Sequence, residues 1–205
     1  MLEIKFLDIP IIVCPKTYPP SEDTELLASV ALKYLKPGMR VIEIGVGTGA
    51  IIILLAKRGA EAYGTDISEE AIKCTQENAR RNNVNINLAL GHYFGPFSDV
   101  LFDMILFNPP YLPADDYDFL LEPYEKLALV GGREGYETII EFIKQLDNKL
   151  KSDGIALFVL STLSRPSIVF ETAKKRGYRV TVEASKKFFF EEIMVISLRR
   201  EKRII

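Results

Sequence analysis

Short apolar segments of strand length alternate with longer amphipathic segments along most of this chain, and that alternation constrains its fold more than any other feature. Strands that alternate with helices predict an α/β fold: a doubly wound, mainly parallel sheet whose ligand binds at the carboxyl ends of the strands. The last strand is expected to be antiparallel, because only a short connection precedes it. Seven strands are expected, at residues 40–44, 62–65, 86–90, 102–107, 155–160, 179–184 and 193–198.

Helices are expected between these strands, at residues 22–34, 50–58, 136–149 and 166–176, with one more that is capped by Ser68 and reaches Asn82. Residues 108–133 are rich in proline and aspartate and predict a long loop. A loop of that length inside a compact domain usually carries function. The 205 residues suit one domain, which we expect to comprise an N-terminal segment and helix (1–37), a core (38–198) and a basic tail (199–205).

Composition excludes several classes of protein. A hydrophobic fraction of 48% is too high for a disordered chain. No apolar run approaches the roughly 18 residues of a membrane helix, and the first residues lack the features of a secretory signal. Cys14 and Cys74 are 60 residues apart without a CxxC spacing, so reduced thiols and a cytoplasmic location are expected. With His92 as the single histidine, no metal site is expected.

Charge is distributed unevenly along the chain. Residues 164–205 contain 11 basic and 5 acidic side chains, whereas residues 1–163 contain 15 and 23. The basic excess is either a solvated helix end and tail, or an edge that helps a polyanion to dock. The sequence pI of about 5.6 argues against tight, sequence-independent binding of nucleic acid.

A glycine-rich turn joins the first predicted strand to its helix. Its glycines permit a tight turn and a close approach of backbone amides to a ligand, to which the helix N-terminus adds positive potential. Glu43 precedes the turn and would repel a phosphate but suit a cation. Asp66, which ends the next strand beside Ile67, can accept hydrogen bonds from both hydroxyls of a ribose. Because NAD also has such a ribose, Glu43 and Asp66 do not decide between a sulfonium cofactor and a dinucleotide. The glycines expected to contact the ligand are Gly45, Gly47 and Gly49.

The segment Asn108-Pro109-Pro110-Tyr111, here the NPPY loop, follows the fourth predicted strand directly. The side-chain carbonyl of Asn108 and the backbone carbonyl of Pro109 can both accept hydrogen bonds from a planar NH2 group. The two prolines restrict the loop backbone, and the ring of Tyr111 can stack against that planar group. In isolation the segment is more typical of a rigid turn with a capping Asn.

Standing 59 residues after Gly49, behind the fourth strand, the NPPY loop resembles that of a known family. The family comprises Rossmann-like, S-adenosylmethionine-dependent methyltransferases that methylate planar nitrogens: adenine N6, guanine N2 or the amide of glutamine. Residues 18–27 and 128–135 are similar to segments of its HemK-like members, specifically of the short archaeal and eukaryotic branch. These enzymes methylate the glutamine in the Gly-Gly-Gln loop of class 1 translation termination factors.

The resemblance implies a cofactor, site residues and partners for this chain. It implies S-adenosylmethionine as the cofactor, with Tyr18 and Thr24 as contacts in an N-terminal segment that covers it, and with Asn108 close to both cofactor and acceptor. It implies a termination factor as the substrate. It also implies a small zinc-binding activator protein, which covers an apolar sheet edge that the strands on either side of His92 are expected to supply.

One position departs from the family pattern. Relatives usually carry an acidic residue after the third strand, where it accepts a hydrogen bond from the adenine amino group. Here His92 and Tyr93 occupy that stretch. His92 can accept the bond only as a neutral imidazole, and otherwise is a surface residue. Tyr93 can instead pack beside the adenine ring.

Two other functions compete with glutamine methylation. An RNA or DNA N-methyltransferase would use the same NPPY chemistry, and a non-catalytic scaffold could retain only cofactor binding. The intact Asn108 and Tyr111 argue against the scaffold. The segment after Tyr111 is acidic, and its charge would repel phosphates and attract a basic protein loop. The acidic residues are Asp115, Asp116, Asp118, Glu122 and Glu125.

Overall fold

The computed structural model describes residues 2–201, which form nine strands and six α-helices. The strands are β1 (Leu2–Phe6), β2 (Ile9–Val13), β3 (Arg40–Ile44), β4 (Glu61–Asp66), β5 (Asn87–Leu90), β6 (Phe102–Phe107), β7 (Leu150–Ser161), β8 (Tyr178–Lys187) and β9 (Glu192–Arg200). The helices are α1 (Glu22–Tyr34), α2 (Ala50–Lys57), α3 (Glu69–Arg81), α4 (Pro123–Leu129), α5 (Glu137–Gln145) and α6 (Pro166–Lys175).

The seven predicted strands form one sheet, in the order β5-β4-β3-β6-β7-β9-β8. Neighbouring strands are parallel except for β9, which is antiparallel to both β7 and β8. The predicted fold class and the antiparallel last strand are therefore confirmed. The strand order reverses between β3 and β6, so a ligand site is expected at their carboxyl ends.

Both faces of the central strands are buried, which explains why they read as continuous apolar runs. In β6, Met104 and Leu106 pack into one apolar cluster together with α1 and α2, whereas Ile105 and Phe107 pack into a second cluster together with α5 and α6. The sheet therefore lies between two helical layers. No helix in residues 2–201 is long and apolar enough to cross a membrane.

The strands β1 and β2 form a separate hairpin that the sequence interpretation did not include. Phe6 pairs with Ile9 across a two-residue turn, and both side chains are buried. The hairpin is fixed to α3 by Asn78, whose amide oxygen accepts a hydrogen bond from the Ile12 N–H and whose NH2 donates to the Ile12 carbonyl, both at 2.8 Å. Pro10 interrupts the apolar run and made a strand hard to predict, but it is exposed at an edge, where a proline is tolerated.

Three further expectations need correction. The long loop contains α4, a seven-residue helix that begins with a proline and is capped by Glu122 and Glu125. The sheet continues through Arg199 and Arg200, which were assigned to the tail; the remaining tail residues, 202–205, lie outside the described residues. Of the strands on either side of His92, β6 lies between β3 and β7, so only β5 has a free edge.

Cys14 and Cys74 form a disulfide, contrary to the expected free thiols. Cys14 follows β2, and Cys74 lies on the helix against which the hairpin packs, so their Cα atoms are 5.8 Å apart. Spacing along the sequence gave no signal for this bond, because tertiary packing brings the two residues together.

Reduction of the Cys14–Cys74 bond should lower the free energy of unfolding by about 2–4 kcal/mol, because the bond restricts the unfolded chain. Urea unfolding with and without a thiol reductant measures the change. A Cys74→Ser variant is the control and should not respond to the reductant. Two titratable thiols per chain in the denatured, unreduced protein would show that the bond does not form.

Candidate functional site

A cavity of about 980 Å³ lies at the carboxyl ends of the central strands. Ile44 at the end of β3 is paired with Phe107 at the end of β6, and this pairing places the glycine-rich turn beside the NPPY loop. The N-terminal segment and α4 complete the walls. Thirteen of the fourteen predicted site residues line the cavity, and so does Asp118 of the acidic segment. The thirteen are Tyr18, Thr24, Glu43, Gly45, Gly47, Asp66, Ile67, His92, Tyr93, Asn108, Pro109, Pro110 and Tyr111.

Gly49 does not line the cavity, so its predicted ligand contact is not supported. It precedes α2 with a φ of +80°, and a Cβ atom there would lie 2.6 Å from Cγ2 of Thr75. Its requirement for glycine therefore comes from backbone conformation and from packing against α3.

The carboxylate of Asp66 is held by two backbone N–H groups. Its Oδ2 accepts a hydrogen bond from the Gly47 N–H at 3.0 Å, and its Oδ1 accepts one from the Ser68 N–H at 2.9 Å. Burial raises the pKa of Asp66 above its ordinary value. Each oxygen retains a further lone pair, so the carboxylate can accept two hydroxyl donors at a fixed position.

Glu43 is a buried carboxyl group without a basic partner in the described residues. Its Oε2 accepts a hydrogen bond from the Ile52 N–H at 3.0 Å. Burial raises the pKa of Glu43 to about 8; the bond from Ile52 opposes the rise, and the nearby charge of Asp66 adds to it. A cation bound in the cavity would favour the ionised form of this group.

Asn108 presents an acceptor without a partner. Its Oδ1 is buried and has no hydrogen-bond partner among the described residues, and its Nδ2 lies 3.5 Å from Oγ1 of Thr24. An unpaired buried acceptor is costly in a folded protein and indicates a place where a ligand donates.

Tyr111 is held by hydrogen bonds to both its side chain and its backbone. Its hydroxyl donates to Oδ2 of Asp23 at 3.1 Å, and its backbone carbonyl accepts a hydrogen bond from Oγ of Ser164 at 2.5 Å. Burial raises the pKa of Tyr111, and the charge of Asp23 raises it further. Asp23 is buried and lines the cavity but was not among the site residues predicted from the sequence. The one available signal was its place, next to Thr24, in the segment that resembles HemK relatives.

Two glycines of residues 128–135 hold the NPPY loop from the outside. The Gly131 N–H donates to the Leu112 carbonyl at 2.9 Å. A Cβ atom on Gly131 would lie 2.3 Å from the Pro110 oxygen, and one on Gly135 would lie 2.4 Å from the Tyr111 oxygen. Any side chain at these two positions would therefore displace the NPPY backbone.

The stretch after β5 divides into a fixed residue and an exposed one. Tyr93 packs edge-on against Phe107, with ring centroids 5.9 Å apart, and its hydroxyl donates to the Thr138 carbonyl at 3.1 Å. Burial raises the pKa of Tyr93 to about 12. His92 is exposed at the rim of the cavity. Tyr93 is thus a rigid wall, whereas His92 is free to meet a ligand or solvent.

Comparison with known proteins gives consistent similarities. A methyltransferase domain family matches residues 35–184. A Methanocaldococcus jannaschii protein, provisionally named a protein N5-glutamine methyltransferase, is 40% identical over 91% of this chain and 93% of its own length. A release factor glutamine methyltransferase of Geobacter sulfurreducens is 36% identical over 65% of this chain, but the chain spans only 49% of that protein.

A solved structure shares the fold. It belongs to the E. cuniculi Mtq2–Trm112 complex, described as responsible for methylation of the termination factor eRF1. Its chain superposes with a TM-score of 0.71 at 22% identity, and the match covers 91% of this chain and 99% of that one.

Glu43 should make stability fall as pH rises. Its carboxyl ionises near pH 4.5 in the unfolded chain but near pH 8 in the folded protein, so between these values the folded state binds more protons and is progressively destabilised. The free energy of unfolding should fall by at most about 3 kcal/mol between about pH 5.5 and 8. Glu43→Gln keeps an acceptor for the Ile52 N–H but cannot ionise, so it should abolish this fall.

Urea unfolding of both proteins at the two pH values tests this prediction. Glu25→Gln, at an exposed position of α1, is the matched control and should follow the unmodified protein. Equal pH dependence in Glu43→Gln and the unmodified protein would mean that Glu43 titrates normally.

Proposed function

The chain belongs to the S-adenosylmethionine-dependent methyltransferases and, within them, to the family of protein N5-glutamine methyltransferases; from this premise we propose that it methylates a glutamine side chain of a class 1 translation termination factor. The acceptor is the glutamine of the Gly-Gly-Gln loop. The observation that carries the proposal is the unpartnered Oδ1 of Asn108 beside the fixed ring of Tyr111. Together they form a place for a planar NH2 group.

The cavity residues fit the proposed cofactor, which supplies a methyl group bound to a positively charged sulfur. Asp66 would hold the ribose hydroxyls, and the buried carboxyl of Glu43 would face positive charge rather than phosphate. Gly45 and Gly47 let the backbone approach closely, and Tyr93 would form a wall for the adenine ring. His92, Ile67, Tyr18 and Thr24 remain proposed contacts at the rim and in the covering segment.

The amide nitrogen of glutamine is a poor nucleophile, because its lone pair is delocalised. In the proposed mechanism Asn108 Oδ1 and the Pro109 carbonyl oxygen accept hydrogen bonds from the two N–H groups of the amide and aim its nitrogen into the cavity. Tyr111 stacks on the amide plane. As the nitrogen bonds the methyl carbon, the bond from that carbon to the sulfonium sulfur would break and leave its electron pair on the sulfur. The nitrogen would then be cationic and strongly acidic, so it would release a proton to water without a strong base. Alignment of this kind can contribute roughly 7–11 kcal/mol.

Charge around the cavity mouth supports a protein acceptor over a nucleic acid. Three basic residues line the cavity, Lys16, Lys126 and Arg133, but the segment that follows the NPPY loop, residues 112–125, contains five acidic side chains and no basic one. Asp115, Asp116 and Glu122 of that segment are exposed and would repel phosphates. The basic end of α6 is partly neutralised, since Lys175 pairs with Glu171 and Arg176 pairs with Asp147. This pairing favours the interpretation of that end as a solvated surface.

A small activator protein is the proposed partner, and β5 is the proposed docking edge. β5 is an outer strand of the sheet, and its last residue, Leu90, is 55% exposed. The solved structure with the same fold was determined as a complex of two proteins. That the partner binds zinc rests on the family resemblance.

Asn108→Ala should lower the methyl-transfer rate at least 100-fold and leave cofactor affinity within a few-fold, because Asn108 orients the acceptor. Radioactive methyl transfer measures the rate, and calorimetry measures the affinity. Asp66→Ala is the contrasting variant and should weaken cofactor binding. Retained turnover in Asn108→Ala would refute the role of this residue.

The acceptor itself is tested by offering purified termination factor, tRNA and DNA oligomers, each with and without the activator protein. Labelling of the glutamine in the factor, located by mass spectrometry, is the expected result. Labelling of nucleic acid alone would overturn the proposal.

Asp23→Ala should lower kcat about 10- to 100-fold with little change in cofactor affinity, because Tyr111 loses the acceptor that fixes its ring. Asp23→Asn retains an acceptor oxygen and should recover most of the rate. If neither variant alters kcat, or if both lose cofactor binding equally, Asp23 does not position Tyr111.

A further inference from the structure

Two exposed aromatic rings occupy the tip of the β8–β9 hairpin, and the proposed mechanism does not use them. Phe189 is 92% exposed and Phe190 is 85% exposed, and the rings contact each other edge-on with centroids 4.7 Å apart. Large apolar side chains gain stability when they leave water, so paired rings in solvent are typical of a binding surface. We call residues 188–191 the phenylalanine tip.

The phenylalanine tip lies at the edge of the sheet that carries the NPPY loop. β8 runs in the same direction as β7, so it ends at the carboxyl edge. Ser161 Oγ donates to Oε2 of Glu191 at 2.5 Å. Ser161 is followed directly by a 3-10 turn that ends at Ser164, and Ser164 donates to the backbone carbonyl of Tyr111. One short turn therefore connects the tip to the acceptor site.

A second connection passes through the start of α1. Lys186, near the end of β8 just before the tip, forms an ion pair with Glu22 at 2.8 Å. Glu22 is followed by Asp23, which accepts a hydrogen bond from the Tyr111 hydroxyl. The tip region is thus connected to both residues that bond Tyr111: to Ser164, which bonds its backbone, and to Asp23, which bonds its hydroxyl. Neither of its exposed rings lines the cavity, so the tip stands beside the cavity mouth rather than within it.

The acidic segment at the cavity mouth presents further exposed apolar side chains: Tyr117 at 70%, Phe119 at 77% and Leu120 at 70%. They alternate with the acidic residues of the same segment, of which Asp115 and Asp116 are exposed. Aromatic rings surrounded by negative charge complement a protein surface that is apolar with a basic rim. The same charge opposes an approaching phosphate backbone.

We propose that the phenylalanine tip is the docking element for the methyl-acceptor protein, with Phe189 and Phe190 entering an apolar surface of that protein while the acidic segment faces its basic residues. This inference rests on the proposed function. The tip contributes to binding of the acceptor protein and does not take part in methyl transfer itself.

The experiment compares the double variant Phe189→Ser/Phe190→Ser with Leu101→Ser, using the full-length termination factor as the acceptor. Leu101 is 47% exposed and immediately precedes β6, so it lies at the amino ends of the parallel strands, away from the tip. Its substitution therefore controls for the loss of exposed apolar surface. The double variant should raise KM for the factor at least about tenfold, with kcat and cofactor affinity within about twofold. Leu101→Ser should leave all three unchanged.

The outcomes separate the two proposals. Turnover by the unmodified enzyme with an unchanged KM in the double variant, or an equal rise in KM in Leu101→Ser, would refute the docking role alone. A double variant that loses affinity for tRNA rather than for the factor would also refute it. If the unmodified enzyme does not methylate the factor, the glutamine proposal fails and this inference fails with it.

Discussion

The pairing of β3 with β6 is the constraint on which the site depends. Ile44 and Phe107 are far apart along the chain but lie opposite each other at the ends of adjacent parallel strands. Each strand is followed directly by a loop, so the glycine-rich turn and the NPPY loop must meet at one point of the sheet edge. Two segments that are individually ambiguous thereby form one cavity, lined by the carboxyl groups of Glu43 and Asp66 and by Asn108.

The NPPY loop owes its shape to contacts from outside itself. Gly131 and Gly135 allow a second backbone segment to approach it within a distance that no side chain would permit. Ser164 and Asp23 hold the two ends of Tyr111. A loop that is supported on several sides needs little reorganisation when a substrate binds, and this preorganisation is what an alignment mechanism requires.

Sequence patterns predicted those features that depend on regular periodicity or on a local motif. The bounds of α1 and β6 agree with prediction, because a capped helix and a continuous apolar strand carry their signals within a few residues. The β1–β2 hairpin, the disulfide and the role of Asp23 depend on contacts between distant segments, for which a single sequence has no periodic signal. The packing constraint on Gly49 gave no signal for the same reason, since the atom that excludes a side chain belongs to Thr75 on another helix.

These distant contacts have a common consequence for the N-terminal segment. Residues 16–24 contribute Tyr18, Asp23 and Thr24 to the cavity, although they lie outside the seven-stranded sheet, between the β1–β2 hairpin and the start of α1. On one side it is joined to α3 by the Cys14–Cys74 bond and by the hairpin on Asn78; on the other it continues into α1, which is packed in the core. Asp23 can therefore remain buried without a basic partner in the described residues, at a position fixed from both ends. The hairpin lies outside the main sheet, but its anchoring of this segment makes it part of the structure that positions Tyr111.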